Sequence, residues 1–476
     1  MVILIFISTS LLLFSEGHGT NDVSYALDAT ADSSIGDYIY KEHIDLAGGS
    51  FSFPDCERII FAEGAYLKNG RAYLSPNTYE IVGRNGIFEK VELLPESLSG
   101  EQKVSLQDLN ARWFSCCGKG DKDETLQFEF ALKSAHNLSI PLRVPRGTYI
   151  TSRPLELREG DLLMGDYVGQ VGANNHIGQT VIRNMSSEGD IITVLGNHVE
   201  IKNLMLVCSN NNVNGIHLKN GGVAFNLNNV YIGNAHYAIY SVLESDKGVS
   251  ECKWEDVVIR NAVRGISFEM NKEKGQYLTY NSFYHTTFLN IKEIGVYMHG
   301  RAINSQTFRD CMFANVGYGP AYDALFSSSS VYAFYVNNEG KQGSINVDGG
   351  YFEGIYYSKD GKTVRANDSN TAVFWFNNIN CSVSNVRFAN TRTIVDLRGN
   401  GFVQIVNCLD NGYISEKLPK AYLCRKDPNA VIDVRGYSFS NRDKDFIHKG
   451  FNSNIDHKAT ISRIRLSDQE IVDKID

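Results

Sequence analysis

The chain has 476 residues, 43% of them apolar, with 42 Gly against 9 Pro and 25 each of Tyr and Phe, enough for a long buried core rich in β structure. Its formal net charge is −8, and no cluster of Lys and Arg interrupts the acidic balance, which excludes nucleic-acid binding through phosphate neutralisation. Nine cysteines, an odd number without paired metal-ligand spacing, fit neither a disulfide framework nor a zinc site.

Residues 2–14 are apolar, and Gly17-His18-Gly19 follows with small residues at a spacing of two. This pattern predicts a signal peptide over 1–19 and a secreted or cell-surface protein, since thirteen apolar residues are too few to span a bilayer. Residues 20–110 read as a small β module and its linker. Short alternating runs such as Gly49-Ser50-Phe51-Ser52-Phe53, Arg58-Ile59-Ile60-Phe61 and Tyr79-Glu80-Ile81-Val82 stand between Gly and Asn. Next comes Gly118-Lys119-Gly120-Asp121-Lys122-Asp123-Glu124-Thr125, then a stretch in which Leu126, Phe130, Ala131, Leu132 and Ala135 suit one face of a short helix. Asp123 is the expected N-cap, accepting from first-turn amides.

From about residue 200 to 412 a short alternating run recurs with a polar or small residue at one fixed slot: Asn203, Asn229, Asp256, Thr286, Asp310, Gly349, Asn385 and Asn407. The steps are 26, 27, 30, 24, 39, 36 and 22 residues, about 29 on average, a period characteristic of stacked repeats. A unit this short cannot bury its own apolar face, so strand-forming repeats stack as a β-solenoid. The slot residue is expected at a bend, where a short polar side chain tolerates a left-handed backbone. A second run in each unit should point Ile216, Ile239, Ile266, Val296, Phe334 and Val373 inward. The neighbours of these residues form an outward ladder of His217, Tyr240, Ser267, Tyr297, Tyr335 and Phe374, and beside it lies a second outward row with Lys219, Glu269, His299 and Asn337. Residues 111–440 are assigned to this coil and 441–476 to a C-terminal tail or cap.

The motif Gly118 to Thr125, the helix after it and Leu142-Arg143-Val144-Pro145-Arg146-Gly147-Thr148-Tyr149 together resemble the opening of the pectate-lyase-like superfamily. These are right-handed, single-stranded parallel β-helices that include polysaccharide lyases, polygalacturonase-like hydrolases and phage tailspike depolymerases. The resemblance implies an all-β fold in which Asp121, Asp123 and Thr125 cap the first rung. It also implies an extracellular polysaccharide as partner and, by analogy with tailspikes, a homotrimer. One such fold hosts many activities, so chemistry has to be read from the site.

Aromatic rings and hydroxyls suit sugars, which makes His217, Tyr240, Arg264, Tyr335 and Phe374 candidate substrate-binding residues. Tyr322 and Asp323, in the long step between slots 310 and 349, join them, because solenoid insertions gather on one face. A lyase needs a base, an acid and a cation over the substrate carboxylate. Tyr297 and His299 are candidates for the base and acid, with Lys292, Arg264 or Arg301 as the cation. A hydrolase needs two carboxylates about 5 Å or roughly 6.5 to 9.5 Å apart, for which Glu269 and Glu293 are the candidates. No nucleotide loop, His-Glu-x-x-His motif or converging acidic cluster calls for a cofactor or metal. The alternative is a non-catalytic, glycan-binding or tail-fibre-like surface protein.

Overall fold

The computed structural model describes residues 36–96, 104–168, 178–219, 221–244, 246–270, 275–318, 331–358, 371–389, 391, 393–410, 424–427 and 429–439, with short strands at 4–7, 10–13, 24–25, 460–466 and 469–471. A sheet of ten strands runs from Leu155–Leu157 to Cys424–Lys426, each strand parallel to the one before. A longer strand path bends around the rest of the coil, and a four-stranded sheet (222–223, 248–250, 277–279 and 303–304) closes part of the circuit. This is the right-handed parallel β-helix expected from the repeats. Seven rungs of the ten-stranded sheet lie between residues 213 and 398.

The inward line holds for Ile216, Ile239, Ile266, Val296 and Phe334, which are paired in register and fully buried. At the next rung Val373 is buried as expected, but the register is displaced by one residue. Phe334 pairs with Phe374 and Tyr335 with Trp375, so Phe374 is buried inside and Trp375 takes the outward position. Matching Ala333 to Ala372 slipped the register, and a one-residue slip exchanges the two faces of a strand. Phe374 is therefore a core residue, in contact with Phe334, Phe352 and Phe376, and does not face a substrate.

The slots are bends. Asn203, Asn229, Asp256, Asp310, Asn385 and Asn407 all have φ between 52° and 57°, and Gly349 has φ 71°. At the fourth slot the left-handed residue is His285, φ 48°, and its neighbour Thr286 is buried. The histidine escapes a search for short polar residues, although His is among the types enriched at positive φ. A second left-handed column, Asn234, Asn261, Asn290 and Asn315, passes one amide hydrogen bond from rung to rung over 3.1–3.3 Å.

The N-terminal module is itself a short parallel coil. Asp37–Tyr40, Arg58–Phe61 and Glu80–Val82 pair in one sheet, while Tyr66–Leu74 and Phe88–Pro95 pair in another. A single apolar cluster from Tyr40 to Tyr437 joins the module to the main coil. Between them lies the helix Thr125–Leu138, tied to the module by Lys133–Glu92 (2.8 Å) and by Ser134 Oγ, which accepts from the Leu93 amide. Asp123 accepts from the Thr125 amide and from Ser152 Oγ, joining the helix start to the coil, and Glu124 accepts from the amides of Cys117 and Gly118. Gly118 has φ 66°, and a Cβ there would sit 2.7 Å from the Tyr149 ring, so the motif needs glycine at that point. At the other end Thr460–Leu466 extends the sheet in parallel and Gln469–Ile471 turns back antiparallel. Cys56, Cys116, Cys117, Cys208, Cys252, Cys311, Cys381 and Cys408 are free, and no described helix is long and apolar enough to cross a membrane.

Candidate active site

The outer face of the ten-stranded sheet carries one continuous column of side chains: Glu156, Thr193, His217, Tyr240, Ser267, Tyr297, Tyr335, Trp375 and Asp396. Its middle part packs against itself. Tyr297 stacks on Tyr335 (5.4 Å, 6°) and Tyr335 on Trp375 (4.2 Å, 9°), while the Arg264 guanidinium lies 4.8 Å from the Tyr297 ring centre. Ring faces used in this way are not free to receive sugars, so Tyr297 and Tyr335 stabilise the coil instead. Burial, and secondarily the Glu269 charge, pushes the Tyr297 phenol up to about 12. It keeps its proton at neutral pH.

The other residues expected around Tyr297 do not converge on it. Arg264 Nε binds Glu293 Oε2 at 2.9 Å, and Glu293 is almost fully buried, so both charges are already paired with each other beneath the tyrosine column. Glu269 is in register with His299, six residues along the strand from Glu293, which places the two carboxylates about 20 Å apart along the strand direction. That exceeds both spacings a two-carboxylate hydrolase uses. Lys292 and Arg301, nine residues apart at opposite ends of the strand Ile294–Gly300, are separated by about 30 Å and cannot reach one sugar together. Burial lowers the Lys292 pKa. His299 Nε2 is taken by Glu339 Oε1 at 3.0 Å. Tyr322 and Asp323 lie outside the described residues.

The concave site lies earlier in the chain. A cleft of about 590 Å³ opens between the helix Thr125–Leu138 and the first rungs of the ten-stranded sheet. Its helix wall includes Glu129, Lys133 and His136, and its sheet wall Glu156, Arg158, Asp190, Thr193, His217 and Lys219, with Asp161 at the turn. Of these, sequence reading singled out His217 as a substrate-binding residue and Lys219 as a member of an outward row. Asp190, His136, Asp161, Glu156 and Arg158 were missed. The available signal was alternation: Leu155-Glu156-Leu157 and Ile192-Thr193-Val194 repeat the pattern of Ile216-His217-Leu218 two and one rungs earlier.

At the centre is Asp190, whose side chain is 12% exposed. Its Oδ2 binds His217 Nδ1 at 3.1 Å, and its Oδ1 accepts from Asn214 Nδ2 at 2.9 Å and from Tyr240 Oη at 3.0 Å. Burial alone would raise this carboxyl, but the hydrogen bonds from His217, Asn214 and Tyr240 outweigh it and hold the pKa below its ordinary value. An ionised acceptor at Nδ1 fixes the histidine tautomer and leaves Nε2 without a protein partner among the described residues. A second pair, Asp161 Oδ1 with His136 Nδ1 at 2.8 Å, stands on the helix side. There burial wins over the bonds from the Arg158 amide and His136, and the Asp161 pKa is raised. Two Asp–His pairs with carboxyls shifted in opposite directions are suited to proton transfer in both senses.

The charges around the pairs are unevenly satisfied. Lys133 is bound to Glu92, and Arg153, also on the cleft, to Glu129 at 2.7 Å. Arg158 and Lys219, both exposed, make no ion pair among the described residues. No group of three His, Cys, Asp or Glu among the described residues could hold a metal ion.

Neither a protein-family model nor a curated relative matches the sequence. Solved structures do. The gp42 tailspike of Acinetobacter phage vb_AbaP_AS12 is 13% identical with a TM-score of 0.45, over 69% of this chain and 62% of the tailspike. ORF18 of Geobacillus virus E2 is 14% identical with a TM-score of 0.40, over 69% of this chain and 61% of that one. The enzymatically active domain of bacteriophage CBA120 tailspike protein 2 is 10% identical with a TM-score of 0.42, over 77% of this chain and 46% of that one. The chain thus spans under two thirds of each of these proteins.

Proposed function

We propose that the protein is an extracellular polysaccharide lyase that cuts an acidic glycan in the cleft between the helix and the coil. The observation that carries the reading is His217, held at Nδ1 by the ionised Asp190 with its second nitrogen unpartnered among the described residues of the cleft. That is the arrangement of a general base. His217 Nε2 takes the C5 proton of a uronic acid unit, and the electron pair forms the C4=C5 double bond as the C4–O glycosidic bond breaks. The leaving oxygen receives a proton from the Asp161–His136 pair. Lys219, two residues from His217 along the same sheet edge, neutralises the substrate carboxylate and so stabilises the charge that develops as the proton leaves. The apolar leader over residues 2–14 supports a secreted or surface location.

The test is incubation with acidic and neutral polysaccharides while ultraviolet absorbance of the unsaturated product and reducing ends are followed together. Absorbance that grows with the wild type and falls about 10²- to 10⁴-fold with His217→Ala is the expected result. Reducing ends without absorbance would make the protein a hydrolase. Binding with neither signal would make it a non-catalytic glycan-binding protein.

A further inference from the structure

The cleft floor is a small grid, and its charges are arranged in a way the proposed cleavage does not require. On the first rung Glu156 and Arg158 point outward on either side of the buried Leu157, on the second Thr193 and Leu195, and on the third His217 and Lys219. Hydrogen bonds from the Leu195 amide to the Leu157 carbonyl (2.8 Å) and from the Lys219 amide to the Val194 carbonyl (3.0 Å) carry this register past the strand ends. Arg158, Leu195 and Lys219 therefore form one column. Rungs are about 4.8 Å apart, so the backbones that carry the two cations stand about 9.6 Å apart with an apolar residue between them. That distance corresponds to two pyranose units of an extended glycan laid along the coil axis.

The other cations of the cleft are already neutralised, Lys133 by Glu92 and Arg153 by Glu129. Arg158 and Lys219 are thus the cleft's unpaired cations among the described residues, and the middle rung offers Thr193 on the cleft wall, with Leu195 beyond it on the same rung and no positive group for an acid. We infer that the substrate is an acidic glycan with a disaccharide repeat, carrying its carboxylate on every second sugar: one acid on Lys219, a neutral sugar over Thr193 and Leu195, and the next acid on Arg158. This rests on the lyase reading for the placement of His217 beside the first acid. It goes beyond that reading in fixing the spacing of charge along the chain.

The experiment separates the two. Affinity is measured with the His217→Ala variant, which binds without cutting, by calorimetry against hyaluronan and chondroitin, with an acid on alternate sugars, against polygalacturonate, with an acid on every sugar, and against neutral dextran. The expected result is tighter binding of at least one alternating polymer than of the other two. Adding Arg158→Gln or Lys219→Gln should weaken it about tenfold each, the scale of losing one charged hydrogen bond. Equal affinity for polygalacturonate with equal loss in both variants, or no effect of either substitution, would overturn the inference. Failure of the lyase reading shows elsewhere, as wild-type protein that binds a polymer and forms no unsaturated product from it.

Discussion

The imidazole of His217 lies flat on the ring of Tyr240, centroids 4.2 Å apart and planes 12° apart, and the same Tyr240 donates its hydroxyl to the Asp190 that holds the imidazole. One residue on the following rung thus fixes both the plane of the histidine and the charge of its partner. Tyr240→Phe keeps the stack and removes the bond. A hydrogen bond to a charged group is worth about 1.5–3 kcal/mol, so denaturant unfolding should show a loss within that range, with turnover reduced and the Michaelis constant nearly unchanged. Tyr240→Ala should lose more in both.

The acid side of the stability profile follows from Asp190. Its folded pKa lies below the unfolded value of about 3.9, so the stabilisation from this network is complete above the unfolded value and is lost as pH falls through the folded one. Unfolding free energy measured from pH 6 down to pH 2 should therefore fall below about pH 4. Asp190→Asn, less stable at neutral pH, should show a shallower fall over the same window.

Arg264 and Glu293 form a pair whose side chains are 24% and 9% exposed. Removing one partner leaves a buried charge uncompensated, at a cost of about 3–5 kcal/mol. Arg264→Met and Glu293→Gln should both lower the unfolding midpoint strongly, while the folded fraction of each keeps its rate per molecule. A rate that falls with folding intact would return these residues to the catalytic site.

Face assignment in the sixth unit is open to direct test. Phe374→Asp places an unpaired charge in the core and should prevent folding, whereas Trp375→Asp, one position along, should give soluble, folded protein. The opposite result would restore the slipped register.

Backbone conformation at the fourth bend makes a separate prediction. His285 occupies φ 48°, where Asn and Gly fill equivalent positions in other rungs. His285→Asn should be neutral within about 0.5 kcal/mol, and His285→Val should cost about 1–2 kcal/mol, since a β-branched residue resists the left-handed region.

Much of the fold was legible because a parallel coil repeats its physics at every rung. Alternation with a period of two, a bend residue tolerant of positive φ and a unit too short to fold alone were enough to predict stacking, seven rungs and the inward line from Ile216 to Phe334. The errors share one cause. Thr286 for His285 and Phe374 for Trp375 are single-residue displacements, and strand alternation turns a displacement of one into the wrong face.

The site was legible only in fragments. Outward direction follows from alternation, so His217 and Lys219 were found, and Glu156 and Thr193 could have been found by continuing the column backward. Which outward residues meet is another matter. Sequence spacing suggested that Glu269 and Glu293 were neighbours because they fall in successive units, but the register puts them at opposite ends of their strands. It also could not show that Arg264 is taken up by Glu293, or that three stacked rings cover one another's faces. The sequence by itself determined the rung, its period and the alternation of inside and outside, because these depend on local backbone geometry and on burying an apolar face. Only the tertiary structure decided where a cleft opens, since that required the helix Thr125–Leu138 to pack beside the first rungs and bring His136 and Asp161 opposite His217 and Asp190, a contact between segments that no local pattern encodes.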